Sequence, residues 1–233
     1  YCFLPLPVFT NMPVHVNGYF ELSSNRRDIW HGSDMAGDGA LRAQWNDALL
    51  VDVIAPSYAR LLRLCAERTG AGAYYDKLFP CERPAMPWTR LYDAFYQQIR
   101  NVKVLHVNAG SVGEWVSPAE AVVLPVLVYG LELGGVSDEF VLSVLLRCDK
   151  KAVDVDMKMR KALLDSGVVN KIATPAYIRA AIRECGACIT SGTGVRLRDV
   201  DEAHRLLMYC MSDLNDDNFQ ELNGVPLVPL LTR

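Results

Sequence analysis

A chain of 233 residues that is 51% apolar and 22% charged is long enough to bury roughly 70 to 75% of its unfolded surface, and its composition excludes the low-hydrophobicity, high-charge class of disordered chains. A formal charge of −3, with basic residues scattered apart from the pair Arg26 and Arg27 and the pair Lys150 and Lys151, excludes the basic footprint of a nucleic-acid-binding surface. The longest apolar run, residues 121–131, contains Pro125 and Gly130 and falls short of the about 20 residues a spanning helix needs, so no membrane segment is expected.

The first eight residues are apolar with Pro5 and Pro7, which suits an edge strand or a strand start because proline cannot donate to a ladder. Without an initiator Met, a basic n-region or a small-residue cleavage site, this start reads as a strand of a longer chain and not as a signal peptide. Val14 and Val16 then alternate with polar neighbours, and Asn17 and Gly18 lead into a second run, residues 19–22. That pattern predicts a β-hairpin turning at Asn17 and Gly18, with His15 beside the turn. A polar stretch at 23–28 follows, and Gly32, Gly37 and Gly39 mark a loop.

From Leu41 the period becomes helical, with Leu41, Trp45, Leu49 and Val53 on one stripe and Leu50 and Ile54 beside it. Pro56 is expected to kink or interrupt this helix before Tyr58, Leu61, Leu62 and Cys65 continue it towards Gly70. A second helix is predicted over 88–100, with Trp88, Leu91, Tyr92, Phe95, Tyr96 and Ile99 forming an apolar face that must be buried. A strand over 102–107 and a turn at 108–111 close this half.

The second half opens on Ser117, Pro118 and Glu120, the spacing of a capping box with proline at the first helical position. The run 122–129 fits a buried strand as well as a short helix. Ser137 caps a predicted helix over 139–147, 157–165 reads as another, and Thr174 and Pro175 start one through Arg183. Asp199, with Glu202 three residues on, starts the best-defined helix, on which Val200, Ala203, Leu206, Leu207, Cys210 and Leu214 keep register. Asn223 and Gly224 turn the chain into a last apolar strand.

Seven cysteines, an odd number mostly set in apolar patterns, read as reduced thiols of a cytosolic protein and not as a disulfide framework. Cys185 and Cys188 have CxxC spacing but lack the second ligand pair of a structural zinc, so no metal is expected. Ser191, Gly192, Thr193 and Gly194 read as a plain loop. His15, His31, His106 and His204 are too dispersed to assemble a nucleophile, a base and an orienting acid.

Residues 1–6 (YCFLPL), 13–30 (PVHVNGYFELSSNRRDIW), and 206–230 (LLMYCMSDLN, then LNGVPLVPL) resemble the large internal repeats of the sacsin family, with a weaker likeness continuing from Trp115, Val116, Ser117 and Pro118. The resemblance covers most of the chain. It implies a segment that follows a GHKL ATPase module similar to the nucleotide-binding domain of heat shock protein 90. The fold implied is α+β: a transducer-like part of the ribosomal S-five domain-two type over 1–112, then a mixed α/β part over 113–233. The turn at 108–114 is the boundary between them, with a single continuous domain as the alternative.

In such chaperones a transducer loop carrying Asn, Ser, Arg and an acid delivers an arginine to the terminal phosphate held next door. The resemblance therefore points to Asn25 with Arg26 or Arg27 as nucleotide-sensing residues, while the order S-N-R-R-D departs from the N-x-S-R-E of those chaperones and leaves open which arginine aligns. Guanidinium suits the task, being permanently charged and able to grip phosphate at two points. The glycine motif of the ATPase itself is not matched, since residues 34–39 have D-x-x-G-x-G spacing where that class uses D-x-G-x-G. ATP and magnesium are expected on the preceding module, with no cofactor here. The expected partners are that module, neighbouring repeat segments and the seventy-kilodalton chaperone system, in the cytoplasm. The implied role is non-catalytic relay and scaffolding; the alternatives are a purely structural spacer and a hydrolase or transferase with an unrecognised site.

Overall fold

The helical period that begins near Leu41 is carried by one unbroken helical rod in which the pitch changes. In a computed structural model, which describes residues 6–32, 37–108, 113–126, 136–185 and 197–225, α1 (Asp38–Ala48) passes into a π-helical segment, Leu49–Ile54, and then into α2 (Ala55–Thr69). Pro56 stands in the first turn of α2. It lacks an N–H and its ring crowds the carbonyl four residues back, a conflict that the wider i→i+5 spacing of the π segment relieves. The expected interruption is thus a local unwinding, and the helix continues.

The change of pitch also alters which face is buried. Ala43, Asn46 and Leu50, followed by Ala55, Tyr58, Ala59 and Leu62, turn inward, while Leu41, Trp45 and Val53 of the predicted stripe remain exposed. Small residues let the rod approach its neighbour closely, and that neighbour is α4 (Trp88–Ile99), whose predicted apolar face is wholly buried. Tyr58 stacks on Phe95 at 4.4 Å between ring centroids. Leu91, Phe95 and Ile99 are fully enclosed, each contributing about 1.5 to 3 kcal/mol by burial.

Tyrosines in this core solve their polar problem by donating to backbone: Tyr75 to Val104 O and Tyr96 to Pro80 O, both at 2.8 Å, and Tyr58 to Leu78 O. Burial pushes all three phenols above their ordinary range. A short helix, α3 (Ala73–Asp76), leads towards α4.

Two compact units share the chain. The first comprises Tyr1–Val104 with Asp156–Val168, the second Leu105–Val155 with Val169–Arg233. The parting falls at Val104 and Leu105, ahead of the expected 112/113 position, and the segment 156–168 goes with the first unit.

In the second unit β1 (Leu105–Val107) pairs antiparallel with β2 (Glu114–Val116), and β3 (Val122–Val123) pairs parallel with β4 (Lys171–Ile172). Only half of the predicted box forms: the Ser117 N–H lies 3.2 Å and its hydroxyl 2.9 Å from Glu120 Oε2, but the Glu120 N–H donates to Ser117 O, and the turn so closed leads into β3 instead of a helix. Of the two readings of this stretch, Val122 and Val123 adopt the strand.

Two helices start where their caps predict. Ser137 accepts from Phe140 N at the start of α5 (Asp138–Arg147), and Asp199 accepts from Glu202 N at the start of α8 (Val200–Met211). In the first unit, Asp156, a cap not singled out from the sequence, does the same for Met159 N at α6 (Met157–Asp165). α7 (Pro175–Cys185) begins on its proline.

The second core gathers Val122, Leu124, Phe140, Val144, Leu145, Ile178, Ile182, Leu206 and Tyr209. Arg179 of α7 is 1% exposed within it. Its guanidinium donates to Cys210 O at 2.6 Å and pairs with Asp213 and Glu221, joining α7 to the end of α8 and to a 3₁₀ turn at Phe219–Leu222. The fold is α+β, dominated by helices with short strands. The expected strands at the two ends of the chain lie mostly outside the described residues; 6–8, which are described, belong to no strand.

Candidate functional site

Residues 23–28 form a tight loop on a two-residue stem. Leu22 bridges Ile29 in antiparallel fashion, Trp30 N donates to Glu21 O at 2.9 Å, and Ser23 N donates to Asp28 O at 2.8 Å. Inside the loop Arg26 N bonds Ser23 O at 2.8 Å, and Arg27 N bonds Asn25 Oδ1 at 3.0 Å. Ser23 Oγ sits 2.7 Å from that same amide oxygen and accepts from Asp28 N at 3.2 Å. Short polar side chains thus replace a longer sheet ladder.

Arg26 occupies the left-handed region at φ 53°, where a side chain costs about 1 kcal/mol relative to glycine. Local backbone preference therefore does not account for an arginine there. Asn25, Arg26 and Arg27 are exposed, and among the described residues neither guanidinium has an ion pair or hydrogen-bond partner. Asp28 faces His31 instead, Oδ2 lying 3.7 Å from Nε2. The loop presents two permanent cations on an internally braced frame.

That frame is anchored by a residue that periodicity does not single out. Asn46 of α1, 1% exposed, accepts from Glu21 N at 2.8 Å and donates to Glu21 O at 2.7 Å and Trp30 O at 2.9 Å, so one amide holds both strands of the stem. The neighbouring Trp45 indole donates to Tyr19 O at 2.9 Å. A lone Asn in an amphipathic helix reads as solvent-facing; only the observed burial of Ala43 and Leu50, three residues before it and four after, shows it to be on the inward face.

His15, Asn17 and Gly18 require a correction. A tight hairpin turn of the Asn-Gly kind needs positive φ at both central residues. Neither Asn17 nor Gly18 is among the positive-φ residues, and residues 15–20 belong to no turn or strand, with His15, Asn17 and Gly18 all exposed. The bend comes earlier, at Pro13 and Val14, and the antiparallel closure comes later, at Leu22 and Ile29. Residues Leu6, Val8, Met12, Val14 and Val16 turn one half-buried edge onto a groove of about 980 Å³ that reaches Trp88.

The other sequence candidates are dispersed. Residues 34–36 of the D-x-x-G-x-G stretch, Cys188 and the 191–194 loop lie outside the described residues, and Asp38 starts α1. Among the described residues no three His, Cys, Asp or Glu side chains are grouped so as to hold a metal. His106 packs edge-on against Trp115 at 5.1 Å.

Two carboxylates of the second unit have their charged forms held by hydrogen bonds. Hydrogen bonds from the Ser117 N–H and hydroxyl, and then from Lys151, hold Glu120 down at about 2. Burial works against the charged form of Glu202, but bonds from Arg147 and the Arg198 N–H outweigh it and keep this carboxyl below its ordinary range. A carboxyl depressed on folding stabilises the native state above its unfolded pKa, and that contribution disappears as pH falls through the folded value. The second unit should therefore lose thermal stability between pH 4.5 and about 2, and Glu120→Gln should flatten that slope. Melting curves at pH 6, 4 and 2.5 test this; identical slopes for the two proteins would refute the assignment to Glu120.

No family model matches this chain, and no solved structure matches it. No helix among the described residues is long and apolar enough to cross a membrane. A relative is nevertheless found: sacsin of Homo sapiens, 27% identical over 246 aligned residues, which take in 99% of this chain and 5% of sacsin. The chain spans about one twentieth of that relative's length. Along nearly all of its sequence it is similar to one segment of sacsin.

Proposed function

We propose that this chain is a non-catalytic segment of a sacsin-like chaperone repeat, relaying nucleotide state from a preceding GHKL ATPase module and scaffolding chaperone interactions. The observation that carries this reading is the pair Arg26 and Arg27, exposed, unpaired among the described residues and held on a braced loop. A surface loop without a ligand does not need an arginine in a left-handed backbone. An unpaired guanidinium on a stiff frame is ready to meet phosphate oxygens at little ordering cost.

On this reading the first unit acts as the transducer-like part. ATP and magnesium belong to the adjoining module, and this chain supplies a cation to them. Neighbouring repeat segments and the seventy-kilodalton chaperone system are the remaining partners, in the cytoplasm. Likeness to a segment of sacsin along the whole chain supports the placement.

The test joins this chain to its ATPase module and replaces Arg26 and Arg27 by Ala, singly and together. One single variant should lower ATP hydrolysis at least about tenfold, against the about 10³-fold available to an arginine that fully stabilises transition-state charge. Arg26→Gly is the control, since it suits the φ of 53° and should leave stability within about 1 kcal/mol while removing the cation. Should the double variant hydrolyse ATP and change its hydrogen exchange with nucleotide as the parent does, the chain is a structural spacer.

A further inference from the structure

Two thiols approach each other inside the second unit. Cys148 is the C-cap of α5, Cys185 belongs to α7, and their Sγ atoms are 3.3 Å apart although the residues are 37 positions apart in sequence. A disulfide requires about 2.05 Å, so closure needs a shift of about 1.2 Å, within reach of the two side-chain torsions. Their exposures differ in a useful way. Cys148 is 4% exposed within the second core, while Cys185 packs on the rim of that core and remains half-buried. Lys150, paired with Glu184 at 2.5 Å, brings a cation near Cys148.

We propose that Cys148 and Cys185 are a redox-active dithiol that a hydroperoxide oxidises to an intramolecular disulfide. Cys185, the accessible member, attacks one peroxide oxygen as its thiolate. The O–O bond breaks, the displaced oxygen leaves as water once protonated, and Cys185 becomes a sulfenic acid. Cys148 sulfur then attacks Cys185 sulfur, the S–O bond breaks, and the departing hydroxide takes the Cys148 proton as a second water. Two thiols and one hydrogen peroxide give one disulfide and two waters; the peroxide is reduced by the two electrons that the sulfurs lose.

Desolvation, together with the neighbouring Cys185, pushes the Cys148 thiol up to about 12, which suits a resolving residue that is inert until a partner is activated beside it. The bland alternative, two core thiols that happen to touch, predicts no selective linkage. A second rival is the CxxC partner Cys188, close to Cys185 in sequence.

The whole chain is treated with a stoichiometric amount of hydrogen peroxide, alkylated and digested, and the peptides are sequenced by mass spectrometry. The expected product, in more than half of the molecules, links the peptide of Cys148 to that of Cys185, forms at a rate independent of protein concentration, and reverts with dithiothreitol. Cys188→Ser should retain the link. Cys148→Ala should abolish it and leave Cys185 as a dimedone-reactive sulfenic acid, with circular dichroism confirming that this variant is folded. Linkage of Cys185 to Cys188 in the parent chain, or separate alkylation of Cys148 once Cys185 is oxidised, would overturn the proposal.

Discussion

Arg179→Ala should destabilise the second unit by about 3 kcal/mol, a more than hundredfold change in its folding equilibrium. The guanidinium is sealed from solvent yet bonds Cys210 O, Asp213 and Glu221, and Arg183 on the next turn reaches Asn223 O at 3.2 Å. Removing it leaves the Cys210 carbonyl without this donor and opens a void in a packed core. Asp213 and Glu221 are 34% and 49% exposed and can rehydrate, which places the loss at the low end of the range for breaking buried pairs. Arg179→Lys keeps the charge but not the planar fork, so it should recover only part of the loss. Urea unfolding monitored with hydrogen exchange over 213–225 reads both effects; a loss below about 1 kcal/mol for the alanine variant would show that α7 and α8 hold together by apolar packing alone.

Asn46→Ala should cost the first unit about 2 to 3 kcal/mol, since Glu21 N and Trp30 O then lose their buried partner. Glu21 O still receives Trp30 N, which limits the damage. Asn46→Asp should be worse than alanine at neutral pH, because a carboxylate would accept from Glu21 N but face two carbonyls that the native amide donates to. Amide exchange over 21–30 should speed up in both variants while α4 stays protected. If the arginine loop senses nucleotide, Asn46→Ala should also weaken that response with Arg26 and Arg27 intact, because the loop then loses its anchor on α1. Unchanged exchange at 21–30 would mean that the bonds within the loop suffice to hold it.

Local chemistry made much of the helical framework legible. Ser137 and Asp199 each bond an amide three residues on, and the α4 face from Trp88 to Ile99 repeats at helical spacing, so each signal is complete within a few turns of chain. The arginine loop was legible in the same way, as a polar stretch between apolar runs. The misplaced hairpin shows the limit of such reasoning. Asn17 and Gly18 can make a tight turn, but a turn forms only where the flanking strands find each other, and here the pairing that formed was Leu22 with Ile29.

Other features required the packed chain. Asn46 reaches residues 25 and 16 positions away, Arg179 reaches 34 and 42, and Cys148 meets Cys185 across 37. Each partner lies far beyond the few residues over which helix period and capping act. The π segment before Pro56 rotated the inward face onto Ala43, Asn46 and Leu50 and left Trp45 and Val53 outside, and no periodicity count anticipates a change of period. Residue order thus specified where helices begin and which motifs they carry, because caps and turns are short-range bonds. Which polar groups are buried, and against what, followed from faces meeting in three dimensions, where an unpaired amide or guanidinium costs too much to leave without a partner.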